Sequence, residues 1–293
     1  MYKIGVVGLG FVGSAVSTGM EMMLGEKVEI REHDKFKNSE ALDDVVDNSD
    51  IIFVCVPTPM HSDGECDTSI VEEVCASIDK IATVPKAIII KSTVPPGTTQ
   101  AISDSMSGGH GLVFNPEFLT EAKFMEDFLN QDRVLLGFAK QCSSQSKQIV
   151  KDLYGEFSKK QKVPALIKSY DVAAVAEMTK YMTNCFLATK LSFCNEMFEI
   201  CDEADIEYND VVEAWLLDKR IGSSHTSVPG ADGQKGFSLS CLPKDLNAMI
   251  AYAEEKNLDP VVLNSVWMKN LLVRDDHDWN ELPQVNGRYK KEI

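Results

Sequence analysis

The 293-residue sequence has no Cys-x-x-Cys pair, and its eight cysteines, at 55, 66, 75, 142, 185, 194, 201 and 241, are scattered. A chain this long does not need a disulfide scaffold, so the pattern reads as free thiols in a reducing, cytoplasmic compartment. No stretch approaches the roughly 18–20 apolar residues of a membrane span. The opening MYKIGVVGLG reads as a strand and a glycine turn, not as a leader. Basic residues are also few: 29 Lys and Arg stand against 45 Asp and Glu, for a net charge of -16. That balance excludes an extended nucleic-acid-binding face. It leaves room for a phosphorylated small molecule in a local basic pocket or at helix N-termini. Proline and glycine are absent from Asp171 to Ala204, which predicts one unusually long helix.

What is present is ordinary for a globular chain, with 44% hydrophobic and 25% charged residues and enough length for two domains. Short, mostly apolar runs at 2–7, 28–33, 51–56, 87–91, 112–114 and 134–136 read as strands buried on both faces. Helical patterns at 11–24, 39–47, 69–81 and 98–105 alternate with them. The expected fold class is α/β, a Rossmann-like doubly wound parallel sheet. After about residue 167 the texture changes to helical patterns at 171–204, 208–218, 243–256 and 259–274. We therefore expect a dinucleotide-binding domain over 1–167 and a mostly helical second domain over 168–293, with a long central helix.

Gly8-x-Gly10-x-x-Gly13 follows the first strand and opens a helix. In such a turn the first glycine permits the tight bend, the second lets backbone approach a pyrophosphate, and the third packs helix on sheet. Gly8, Gly10, Phe11, Val12 and Gly13 are the expected cradle, with phosphates at the helix N-terminus. Glu32 and Asp34 lie where an acid should bind the adenosine ribose, and either favours NAD over NADP. Thr58 in Val-Pro-Thr-Pro and Thr93 in Lys-Ser-Thr-Val-Pro-Pro-Gly-Thr each follow a strand, at the edge where such sheets bind ligands.

The chemistry-bearing residues lie further on. Cys241 is followed at three and four residues by Lys244 and Asp245, so its thiol has a cation and a proton-handling group nearby. Lys180 and Asn184, i,i+4 on the long helix, suit an alkoxide or oxyanion. Glu117 and Glu121 share the same spacing, and one could serve as a general base through water. No metal site is expected.

The fingerprint, VPTP, KSTVPPGT, NPEFLTEAKFMED, EMTKYMTNCFLATKLSFCNE, DKRIG and CLPKD occur in one order over roughly residues 1–255. In this the chain resembles the UDP-glucose/GDP-mannose dehydrogenase family. The resemblance implies a four-electron oxidation of a nucleotide-sugar C6 alcohol to the uronic acid with two NAD, UDP-glucose being the first choice of substrate. By motif, Cys241 would be the nucleophile, passing through a thiohemiacetal and a thioester. Lys180 and Asn184 would stabilise the oxyanion, and Thr93, Glu117 and Asp245 would order the water. Glu121 and Thr58 would lie near the nicotinamide. Phe118, Leu119, Gly236 and Arg220 would hold the sugar nucleotide, and the long helix would form a homodimer interface. Two departures stand out: Ser238-Leu239 replaces the family's Gly-Gly, and the chain stops at Ile293 where the family usually continues into a third domain. Two other readings fit less of the chain: a β-hydroxyacid or 6-phosphogluconate dehydrogenase-like enzyme, in which Cys241 is idle, and a non-catalytic nucleotide-binding protein.

Overall fold

A computed structural model describes residues 1–277 and 279 apart from 62, 239 and 240, and apart from the side chain of Glu121. The described part of the chain divides into two compact units: residues 1–58 with 67–180, and residues 59–66 with 181 onward.

The first unit is built on a seven-stranded sheet in the order β2-β1-β3-β4-β5-β6-β7. The strands are β1 (Tyr2–Val7), β2 (Val28–His33), β3 (Ile51–Val54), β4 (Ala87–Ile90), β5 (Gly111–Phe114), β6 (Arg133–Phe138) and β7 (Leu166–Tyr170). Its helices are α1 (Phe11–Leu24), α2 (Leu42–Asp47), α3 (Ser69–Ile81), α4 (Thr98–Ser105), α5 (Phe124–Leu129) and α6 (Ser144–Ser158). Side chains alternate across each strand. Ile51 and Phe53 join a core with Val16, Met20 and Leu153. Ile52 and Val54 join a second core with Val71, Ile78 and Ile102. Burial on both faces is why the central strands read as continuous apolar runs.

Two parts of the sheet depart from the expectation. β6 runs antiparallel to β5, whereas the other neighbours are parallel. The link from Phe114 to Arg133 has only a single 3-10 helical turn (Glu121–Lys123) and the six-residue α5. It does not cross back over the sheet, as a parallel return requires. The seventh strand, β7, carries Leu-Ile-Lys-Ser-Tyr at a sheet edge and is largely exposed, so it lacks the apolar signal of its neighbours.

The 31-residue helix α7 (Ala173–Glu203) starts in the first unit and continues into the second, whose other helices are α8 (Tyr208–Trp215), α9 (Cys241–Glu255) and α10 (Val261–Val273). α7, α9 and α10 pack around Ala188, Leu246, Ile250, Val266 and Trp267.

Candidate active site

The glycine turn is shaped by contacts a side chain would break. Gly8 has φ +90, and a Cβ there would lie 2.6 Å from the Cys55 carbonyl oxygen. A Cβ on Gly13 would lie 1.8 Å from the Gly8 carbonyl oxygen. Gly10, at the N-cap of α1, has no atom within 4 Å of a built Cβ. The second glycine thus faces open space while the first and third are packed, as a turn that admits a pyrophosphate requires. Phe11 is exposed and stacks edge-on with Phe124, with ring centroids 5.6 Å apart. Val12 packs at the edge of the core.

The two candidate ribose acids are placed differently. Asp34 accepts the Leu9 N–H at 2.7 Å and the Phe36 N–H at 2.9 Å, so it sits against the glycine turn. Burial would push its carboxyl up, but these amides and Lys37 hold it below the usual carboxylate range. Glu32 instead accepts the Ser17 hydroxyl from α1.

Beyond β3 and β4 the two threonine turns are joined. The Ser92 hydroxyl donates to the Val56 carbonyl at 2.7 Å. Thr58 is buried and Thr93 half-buried. In the next turn along the sheet edge, Lys91 donates to Asn115 Oδ1 at 2.8 Å, and Asn115 donates to the Leu135 carbonyl at 2.7 Å. The sequence reading passed over this pair, because a lysine among polar turn residues ordinarily signals a solvated side chain.

Asn115 leads into Glu117, whose carboxylate accepts from Lys180 Nζ at 2.9 Å and from the Leu119 N–H at 2.6 Å. Both ionic side chains are nearly enclosed. Burial would raise the Glu117 carboxyl; Lys180, the Leu119 amide and Lys91 outweigh it and hold the group ionised. The Phe118 ring lies under the Arg133 guanidinium at 4.1 Å, with Lys180 at 5.5 Å from its centroid. Lys91, Glu117, Phe118, Leu119 and Arg133 line a cleft of about 390 Å³. The Glu121 side chain lies outside the described residues.

In the second unit Cys241 is half-buried and is the first residue of α9, where amide dipoles favour negative charge. Lys244 and Asp245 follow in the first turns of that helix, both buried, 2.5 Å apart. Burial disfavours the Lys244 ammonium, but the Asp245 carboxylate more than offsets it, so the lysine is held protonated. The other Asp245 oxygen accepts from Asn184 Nδ2 at 2.6 Å. Cys185 is core, its thiol pushed up to about 12 by burial. Gly236 has φ +74, donates to Asn195 Oδ1 at 3.0 Å and backs onto Asn270. Arg220 is exposed and ion-paired to Asp218 at 2.5 Å. Leu239 lies outside the described residues.

The glycine turn that opens α1 and the seven-stranded, mostly parallel sheet make the first unit a Rossmann-like dinucleotide-binding fold. The NAD-binding-domain profile of the UDP-glucose/GDP-mannose dehydrogenase family matches residues 18–158, and its central-domain profile matches residues 174–271. The chain belongs to this family. It is 32% identical to YtcA of Bacillus subtilis, with 90% of this chain and 66% of that protein aligned. It is 30% identical to the UDP-glucose 6-dehydrogenase of Pseudomonas aeruginosa, over 86% of this chain and 54% of that one. A UDP-glucose dehydrogenase structure from the archaeon Pyrobaculum islandicum superposes with a TM-score of 0.78 at 28% identity, covering 93% of this chain and 68% of that one. The chain thus spans between about half and two thirds of the length of these relatives. NAD is the cofactor of the matched domain. Among the described residues no helix is long and apolar enough to cross a membrane.

Proposed function

We propose that this chain oxidises the C6 alcohol of a nucleotide sugar, UDP-glucose first, to the uronic acid through Cys241. The observation that carries the reading is the first stretch of α9: Cys241 at its positive end, with Lys244 and Asp245 buried beside it and Asp245 held by Asn184 at 2.6 Å. A solvated cysteine in a helix cap would not need a buried ion pair next to it, because an enclosed pair is expensive to desolvate.

In this reading Gly8, Gly10, Phe11, Val12, Gly13 and Asp34 would hold NAD, with Thr58 and Glu121 at its nicotinamide end, and the bound cofactor would supply the hydride acceptor for two successive two-electron oxidations. Glu117 and Thr93 order the water that takes the C6 hydroxyl proton. Lys180 and Asn184 carry the charge that builds on the C6 oxygen. The Cys241 thiolate then adds to the aldehyde, giving a thiohemiacetal, whose oxidation leaves a thioester. Water ordered by Asp245 and Glu117 attacks the thioester carbon, which expels the Cys241 thiolate and releases the acid. The Phe118-Leu119 backbone, Gly236 and Arg220 are assigned to the sugar nucleotide. The NAD-binding part is assigned to residues 1–167 and the substrate part to 168–293.

We further assign α7 to a homodimer interface, because Met178, Met182, Phe186, Phe193 and Ile200 recur on it at four- and seven-residue spacing with their side chains exposed. All eight cysteines are free, which supports a reducing, cytoplasmic setting.

The test is NADH formation with a panel of nucleotide sugars, counting NADH per sugar consumed, in wild type and Cys241→Ser. Two NADH per sugar, with the variant failing to release acid, supports the thioester route. One NADH per molecule of a β-hydroxyacid, unchanged by the substitution, would replace it.

A further inference from the structure

The start of α4 is capped in an unusual way. Helices of this kind are ordinarily capped by a local Ser, Thr, Asp or Asn at the N-cap. Here the N-cap is Gly97, with φ +103 and no side chain to offer. Pro95 and Pro96 before it bring no N–H. The acceptor comes instead from 80 residues away: Glu177 on α7, fully buried, takes the Gly97 N–H at 2.6 Å on one oxygen and the Thr99 N–H at 2.8 Å on the other. Burying a carboxylate to do what a surface serine could do is a poor way to gain stability. Burial raises the Glu177 carboxyl despite the two amides.

What this cap adds is a link. Glu177 lies one turn before Lys180 on the same helix, and Lys180 holds Glu117 at 2.9 Å. The turn that Glu177 caps carries Thr93. Its near end is tied down by Lys91 on Asn115 and by Ser92 on Val56. Its far end is tied by Glu177.

We propose that Glu177 is a positioning residue for the oxidation: it sets the Thr93 turn and the Lys180–Glu117 pair in one register by clamping Gly97 and Thr99 to α7. The proposal rests on the reading of the preceding subsection for its catalytic meaning, though the clamp itself can be measured without turnover. Gln at this position keeps one acceptor and turns an NH2 toward the other amide, so only one of the two bonds can persist.

The experiment is Glu177→Gln in the full chain, with three readouts. Amide hydrogen exchange within residues 92–99, read at the non-proline positions 92–94 and 97–99, is expected to rise at least roughly tenfold, because the far end of the turn is released. The melting temperature at pH 8 is expected to change by no more than about 4 °C, since a buried charge is removed together with a hydrogen bond. NADH turnover is expected to fall roughly ten- to hundredfold, with the KM for NAD within about twofold of wild type. A merely structural cap predicts the opposite split: melting temperature and turnover falling together. That result, or unchanged exchange over 92–99, overturns the proposal. If wild type turns over no nucleotide sugar, the functional reading fails on its own, and the exchange measurement alone decides whether Glu177 is the clamp.

Discussion

Lys91 Nζ donates to Asn115 Oδ1 at 2.8 Å, joining the ends of β4 and β5 two residues before Thr93 and Glu117 respectively. The two strands pair in parallel register, Ile90 opposite Phe114, so the next residues on each chain face one another. Tyr154 adds its hydroxyl to the same Asn115 oxygen. One buried ammonium thus aligns the two turns that carry the candidate oxidation groups.

That ammonium should be visible in the pH dependence of stability. Burial lowers Lys91 from 10.5 to about 8. Below about 8 the folded protein bears the full cost of the buried charge. Between about 8 and 10.5 the unfolded chain binds more protons than the folded one, so stability rises with pH. Lys91→Met removes this titration. Wild type should therefore gain on the variant by an amount on the order of 3 kcal/mol from pH 7 to pH 10.5, measured by urea unfolding. A difference flat in pH would show that Lys91 is not the buried cation described.

The glycine turn separates folding from binding within four residues. Gly10→Ala should leave the melting temperature unchanged, because φ is -70 and the Cβ meets nothing. It should weaken NAD binding by roughly tenfold or more, since the methyl takes the space a pyrophosphate needs. Gly13→Ala puts its Cβ on the Gly8 carbonyl and should prevent stable folding. Calorimetry of NAD binding, with thermal melts on the same samples, decides both.

Asp34 and Glu32 are told apart by the same titration. Asp34→Asn loses the carboxylate that braces the Leu9 amide, and NAD affinity should fall roughly tenfold or more. Glu32→Gln, whose carboxylate faces Ser17, should change it by less than about threefold. The reverse order would move the ribose acid to Glu32.

Breaking the Lys180–Glu117 pair should cost more than removing it. Glu117→Gln leaves an ammonium enclosed without its counter-ion and should destabilise the fold by about 3 kcal/mol. The double variant Glu117→Gln, Lys180→Met should recover much of that loss. Additive losses in a denaturant-based double-mutant cycle would show that the pair is not coupled.

The Glu117–Lys180 pair also shows where sequence reasoning stops. Spacing alone suggested Glu117 with Glu121 on one helical face, yet Glu117 lies before the helical turn and pairs 63 residues away with Lys180. Asn184 and Lys180 are both buried, as an oxyanion role wants, but Asn184 is held by Asp245, a partner that no local pattern indicates. Glu177, Lys91 and Asn115 were legible only as letters of motifs, because a buried polar side chain and a solvated one look alike in sequence. β7 was missed for a related reason: an exposed edge strand needs no apolar run.

By itself the sequence determined the alternating strands and helices, the glycine turn, the uninterrupted α7 and the placement of Cys241 ahead of Lys244 and Asp245. Each follows from local chemistry: apolar periodicity, glycine conformation, the absence of helix breakers, and neighbours in the chain. Only the tertiary structure decided that β6 turns antiparallel, that Asp34 rather than Glu32 sits on the glycine turn, and that Lys180, Glu117, Asn184 and Asp245 take the partners they do. Those outcomes depend on which distant groups share a low-dielectric enclosure, where an unpaired charge is so costly that burial itself selects the pairing.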